Sequence, residues 1–67
     1  MFSYKPLLIQ LVKKEMTKTQ LRQRTGISMA TLAKISKNEY VSMEVLDKIC
    51  KTLDCGIEDV IEHIKEG

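Results

Sequence analysis

All-α, a compact arrangement of five short helices, is the fold class this sequence predicts, and three observations carry it. Side chains that cap helix starts recur at Thr17, Ser28 and Ser42, each just ahead of an apolar pattern. Apolar residues repeat at spacings of three and four, as in Val45, Leu46, Ile49, Cys50 and Leu53. No run alternates convincingly at a spacing of two, so no strand is expected. The chain has 67 residues, and one of that size buries only about 60% of the surface its unfolded form exposes. A single domain over residues 1–67 is therefore expected, with no second domain and no deep enzyme pocket.

The elements follow in order. Ser3 with Pro6 marks a first helix start, because proline in the first turn forgoes an N–H that would be unpaired anyway. Leu7, Leu8, Leu11, Val12 and Glu15 then fall at helical spacing, giving a helix near residues 4–14. Thr17-Lys18-Thr19-Gln20 reads as a capping box opening a second helix that runs to Thr25, where Gly26 stops it in the left-handed conformation. One residue, Ile27, separates that stop from Ser28, which caps a third helix running to about Ser36. Asn38 is the next left-handed position, opening a short loop through Val41. Ser42 caps a fourth helix, broken at Asp54-Cys55-Gly56. Ile57, Val60, Ile61 and Ile64 predict a fifth, with Glu58 and Asp59 in its first turn and Lys65 in its last.

Composition narrows the function. Hydrophobic residues are 43% of the chain and charged residues 30%, the balance of an ordinary globular domain. No apolar run approaches the roughly 18 residues of a membrane span, and the one around Leu7–Val12 is too short and too closely flanked by lysines for a signal peptide. A cytoplasmic protein with no membrane partner is expected. Cys50 and Cys55 form no second pair and there is one histidine, so neither a disulfide framework nor a zinc site can be drawn, and no cofactor or metal is expected. His63 has no nucleophile beside it and no carboxylate pair in a cleft, which argues against an enzyme and a small-molecule substrate. Formal net charge is +2, but it is unevenly spread. Residues 1–38 hold eight basic side chains and one acidic, whereas residues 39–67 hold three basic and eight acidic. A basic half with an acidic half behind it suits a surface that meets a polyanion.

That basic half contains the informative segment. A short helix, a glycine turn and a second short helix, in the order Leu21, Gly26, Ile27, Ser28, Leu32, Ile35, is the spacing a DNA-binding helix-turn-helix requires, here over about residues 17–37. Leu21 is expected to pack on Leu32 and Ile35, and Ile27 to plug the corner. The outward face of the third helix is then Ser28, Met29, Ala30, Ala33 and Lys34, slim enough to enter a groove about 12 Å wide.

The stretch LRQRTGISMATLAKISKNEYVSMEVLDKIC resembles the Cro and XRE-type repressor family, with its lambda-repressor-like DNA-binding domain, and most closely a small bacterial branch of it. The similarity runs from Tyr4 to His63. Two positions differ from the wider family: Arg22 stands where alanine is usual, and no glycine lies near Asn38. The resemblance implies a transcriptional regulator, a repressor by family habit, that binds double-stranded operator DNA as a homodimer. It also implies roles by position: Ser28, Met29, Ala30 and Lys34 would read base edges, Lys34 at guanine O6 and N7 and the apolar pair at a thymine methyl. Lys18 and Thr31 would meet phosphate, Arg22 would reach it with its guanidinium, and Lys37, Asn38, Tyr40 and Ser42 would clamp the next strand.

A bland reading stands beside each of these: solvated lysines and arginines, and Tyr40 packed on the fourth helix. An alternative use of the same fold is a protein-binding helical module or antitoxin-type adaptor working through the Met29 face or the last helix. Met1, Phe2 and Ile64 are the candidates for a dimer contact.

Overall fold

The computed structural model describes residues 1–65. Four α-helices account for most of them: α1 (Lys5–Lys13), α2 (Lys18–Thr25), α3 (Met29–Ser36) and α4 (Met43–Leu53). A two-residue strand β1 (Phe2–Ser3) precedes them, and a one-turn 3₁₀ helix (Ile57–Asp59) and a second strand β2 (Glu62–His63) follow. The strands pair antiparallel, Phe2 opposite His63 and Ser3 opposite Glu62. Bonds at the ribbon's end continue the pairing, since Ile64 N–H donates to the Met1 carbonyl at 2.8 Å.

Two expectations are corrected here. Among the described residues the fold has four α-helices rather than five, and it contains a strand pair where none was expected. The apolar residues Ile57, Val60, Ile61 and Ile64 carry helical spacing, yet helix ends after one turn. Val60 is fully buried and its carbonyl accepts from Leu7 N–H at 3.2 Å, so the chain is pinned against the start of α1 instead of continuing to wind. Beyond it the backbone extends, and pairing with β1 satisfies the groups a helix would have satisfied. Lys65 therefore lies in no helix turn.

The helix starts are as the caps dictate. Thr17 and Gln20 close a reciprocal box, with Gln20 N–H donating to Thr17 Oγ1 at 3.1 Å and Thr17 N–H to Gln20 Oε1 at 2.9 Å. Ser28 and Ser42 each accept an N–H three residues on, from Thr31 and Val45. At α1 the arrangement is different: Tyr4, not Ser3, is the residue before the helix, and it offers no side-chain cap. Ser3 lies in β1, buried, and its hydroxyl accepts from Lys5 N–H at 3.1 Å.

Three helices end in left-handed backbone: Gly26 after α2, Asp54 after α4, and Glu15 just beyond α1, with Asn38 in the loop after α3. The core gathers around Leu7 and Leu11 of α1, Leu21 of α2, Ile35 of α3, and Leu46, Ile49 and Leu53 of α4, closed by Tyr4, Ile27 and Val60. Leu7, Leu21, Ile49 and Val60 have no exposed surface at all, and each such side chain stabilises the fold by about 1.5–3 kcal/mol. Leu32 departs from expectation: Ile35 and Ile27 hold α3 to the body, while Leu32 is only half-buried and lies outside this cluster.

Candidate nucleic-acid interface

The turn between α2 and α3 is built from local bonds. Gly26, at φ 75°, donates to the Arg22 carbonyl at 2.8 Å and so closes α2 in the left-handed conformation that glycine enters without strain. Thr25 adds its hydroxyl, which donates to the Leu21 carbonyl at 2.8 Å and accepts from Ile27 N–H at 3.4 Å. Ile27 is buried at the corner. Ser28 then starts α3, its Oγ bonded both to Thr31 N–H and, at 3.0 Å, to the Thr31 hydroxyl.

With Ile35 anchored inward, Ser28, Met29, Ala30, Ala33 and Lys34 all lie exposed, Met29 at 71%. These are the five residues the sequence assigns to one outward face. Around them the cationic and polar side chains are arranged from three elements. Lys18 Nζ, at the start of α2, donates to Ser36 Oγ at 3.3 Å, which holds the N-terminus of α2 beside the end of α3. Arg22 is half-buried on α2, and Thr31 half-buried on α3, while Lys37 is exposed immediately after the helix.

Beyond α3 the loop is tied down by the N-terminal segment. Asn38 takes φ 58° and its Oδ1 accepts from Tyr4 N–H at 3.0 Å. The buried Tyr4 phenol donates to the Glu39 carbonyl at 2.6 Å. Burial pushes that phenol above its ordinary value, an effect the Val41 backbone partly offsets. Tyr40 is 74% exposed and its ring stands edge-on to Phe2, with centroids 6.3 Å apart. The Ser42 hydroxyl is committed to its cap at Val45, though it retains a proton to donate outward.

Lys34, Asn38 and Tyr40 share an open hollow of about 430 Å³ with Met1, Phe2 and Glu39. Glu39 was not among the sequence's candidates, and Met1 and Phe2 were candidates for a dimer contact only. Phe2 reaches the hollow only because β1 pairs with a strand some 60 residues away in the chain, and no local pattern carries that information. Lys18, by contrast, lies beside Ser36, the last residue of α3, and is not part of the lining of that hollow, so the candidate residues do not all converge on one point.

Cys50 and Cys55 are free thiols at the end of α4, where Cys55 N–H donates to the Cys50 carbonyl at 3.1 Å. Burial pushes both above the ordinary thiol value. The carboxylates of Asp47, Glu58 and Asp59 add to the effect at Cys50, and the charge of Cys50 and Asp59 adds to it at Cys55. Among the described residues no three His, Cys, Asp or Glu side chains are placed to hold a metal ion, and no helix is long and apolar enough to cross a membrane.

Comparison with known proteins bears on the same geometry. The chain is 37% identical over 57 residues, 82% of its own length and 68% of the other's, to the HTH-type transcriptional regulator YozG of Bacillus subtilis strain 168. The crystal structure of the transcriptional regulator VanUg superimposes with a TM-score of 0.93 at 43% identity, over 97% of this chain and 87% of that one. Residues 7–66 match the family model for the Cro/C1-type helix-turn-helix DNA-binding domain. With its glycine turn between α2 and α3 and an exposed face on α3, the chain belongs to the Cro/C1-type helix-turn-helix family of transcriptional regulators.

Proposed function

We propose that this protein is a sequence-specific double-stranded DNA-binding repressor, one helix-turn-helix domain with its unit at about residues 17–37, that inserts α3 into the major groove. The observation that carries the reading is the face of α3. Ser28, Met29, Ala30, Ala33 and Lys34 are exposed together on a helix whose other side is held by Ile35 and Ile27. In this reading Lys34 donates to guanine O6 and N7, and Met29 and Ala30 contact thymine methyl groups. Lys18, Arg22, Thr31, Lys37, Asn38, Tyr40 and Ser42 meet phosphates on either side of the groove, fixing register without reading sequence. Asn38 has its carbonyl oxygen committed to Tyr4, so its amide N–H₂ is the group it offers to phosphate.

A single module of this size buries about 600–1,000 Å² on DNA, and two copies on half-sites about 34 Å apart supply the affinity one lacks. We therefore read the functional species as a homodimer on operator DNA. Repression follows from occupancy, since a protein seated in the groove excludes polymerase from the same site. A cytoplasmic location fits a DNA-binding regulator.

Selection of purified protein on random-sequence duplexes tests the reading, with an enriched motif as the expected result and no enrichment at modest salt as its refutation. Affinity should fall with salt on a log–log slope near −0.9 per phosphate contacted. Lys34→Ala should relax base preference at one position by about 1–3 kcal/mol, whereas Lys18→Ala should weaken all sequences alike. The 71% exposure of Met29 favours one competing use, a protein-binding face. Partner affinity indifferent to salt and lost in Met29→Glu would favour that use instead.

A further inference from the structure

The outer side of α1 is apolar and uncovered. Leu8, Ile9 and Val12 are 41%, 45% and 78% exposed and, with Lys5 and Lys13 at the ends, line an open groove of about 430 Å³. No acidic residue occurs in the nine residues of α1, so the rim of this surface is purely cationic. A second apolar cleft, of about 230 Å³, lies between α4 and the 3₁₀ turn. Met43, Leu46, Cys50 and Ile57 line it, with Met43 77% and Ile57 42% exposed. Its surroundings have the opposite sign. Asp47 is part of the lining, and Glu58 and Asp59 follow Ile57 in the 3₁₀ turn that borders it. Lys51 pairs with Asp47 at 3.1 Å and offsets its charge, so the acidic sign of this surface comes chiefly from Glu58 and Asp59 in the 3₁₀ turn.

The two surfaces exclude themselves and suit each other. Antiparallel packing of one α1 on another would set Lys5 of each copy against Lys13 of the other, and cleft on cleft would bring carboxylates together. Like charges brought together in this way penalise the contact. An α1 stripe laid on the α4 cleft puts aliphatic side chains over Met43 and Ile57 and lysines beside Asp47 and Glu58. We propose that the α1 stripe of one copy docks on the α4 cleft of a second copy. A twofold pair makes this contact twice, stripe on cleft and cleft on stripe. Each contact is small, so pairing is weak in free solution and is completed where neighbouring half-sites raise the local concentration. The contact itself needs no DNA; its use on half-sites rests on the DNA-binding reading above.

Dilution of the isotope-labelled full chain, followed by two-dimensional NMR, tests the contact without DNA. Resonances of residues 5–13 and of residues 43–58 should move together with concentration. Val12→Glu, at a position too exposed to affect folding, should abolish both sets of changes. Lys13→Glu and Asp47→Lys should each weaken self-association by about tenfold or more, and combining them in one chain should restore it to within about threefold. On DNA, Val12→Glu should keep its affinity for a single half-site and lose cooperativity on two. Changes confined to one of the two stretches, no change with concentration, or failure of the combined variant to recover would each overturn the proposal. A duplex selection with no enriched motif would overturn the DNA-binding reading and leave the dilution experiment as the test of the contact.

Discussion

Asn38 meets two demands at once. Its backbone occupies the left-handed region at φ 58°, and its side chain accepts from Tyr4 N–H, joining the loop after α3 to the start of α1. Alanine fails on both counts, costing about 1–2 kcal/mol for the backbone and about 1–3 kcal/mol for a partly buried N–H left unpaired. Glycine relieves the first and not the second. Urea unfolding of Asn38→Ala and Asn38→Gly should therefore place glycine between alanine and the wild type; equal midpoints for the two variants would show that the backbone conformation costs nothing here. Tyr4, on the other side of the same junction, predicts a pH dependence. Its phenol is raised by burial, as are the thiols of Cys50 and Cys55. For each group the folded state holds the neutral form while the unfolded chain ionises first, so the unfolded state binds fewer protons in the alkaline range. Their stabilisation is complete below the unfolded values, about 8.5 for thiols and about 10 for the phenol, and is lost as pH climbs through the raised folded values. Unfolding midpoints should thus fall above about pH 9, and Tyr4→Phe should make the decline above about pH 10 shallower than in the wild type.

At the scale of the element, the turn at Gly26 separates strain from crowding. A Cβ built there would meet no heavy atom within 4 Å, so the cost of Gly26→Ala is the left-handed backbone alone, about 1–2 kcal/mol. Gly26→Asn should recover much of that loss in urea unfolding, because asparagine tolerates the conformation; equal destabilisation by both residues would point to an unrecognised steric demand. This turn was readable from sequence because everything that makes it is within four residues: Thr25, Gly26, Ile27 and Ser28 bond only to near neighbours. The caps at Thr17, Ser28 and Ser42 were legible for the same reason. Glu15 was not, since a glutamate at φ 52° carries no compositional mark of a chain reversal, and its spacing from Leu11 and Val12 reads as one more helical residue. The C-terminal segment misled more deeply. Ile57, Val60, Ile61 and Ile64 follow a helical period, but what decides their conformation is distant: the Leu7 N–H that takes the Val60 carbonyl, and β1, which pairs with Glu62 and His63. Strands of two residues have no period to detect. Of the candidate site, the α3 face was legible from local pattern. The hollow that joins Lys34 and Tyr40 to Phe2 was not, because the chain ends meet only in the folded molecule.

Over the whole molecule, the modest net charge of +2 hides a division that places eight of eleven basic side chains in the first 38 residues, with the helix-turn-helix. Such a field acts before contact, on the rate of encounter, and it can be tested at a lysine that touches nothing in the proposed interface. Lys14 is exposed just past α1, in the basic half and outside the set proposed to read bases or clamp phosphates. Two unit charges about 15 Å apart in water interact by about 0.3 kcal/mol. Lys14→Glu changes the charge by two units, so two nearby phosphates bring the total to about 1 kcal/mol, or about fivefold in rate at low salt. At physiological ionic strength the screening length is about 8 Å and most of that effect disappears. Stopped-flow association with operator duplex should therefore show Lys14→Glu slower by several-fold at low salt and close to wild type at physiological salt, with dissociation unchanged throughout. A slowed association that persists in high salt, or a faster dissociation, would mean that Lys14 makes a short-range contact with the duplex. The phosphate-contacting face would then extend from α2 and α3 to the end of α1.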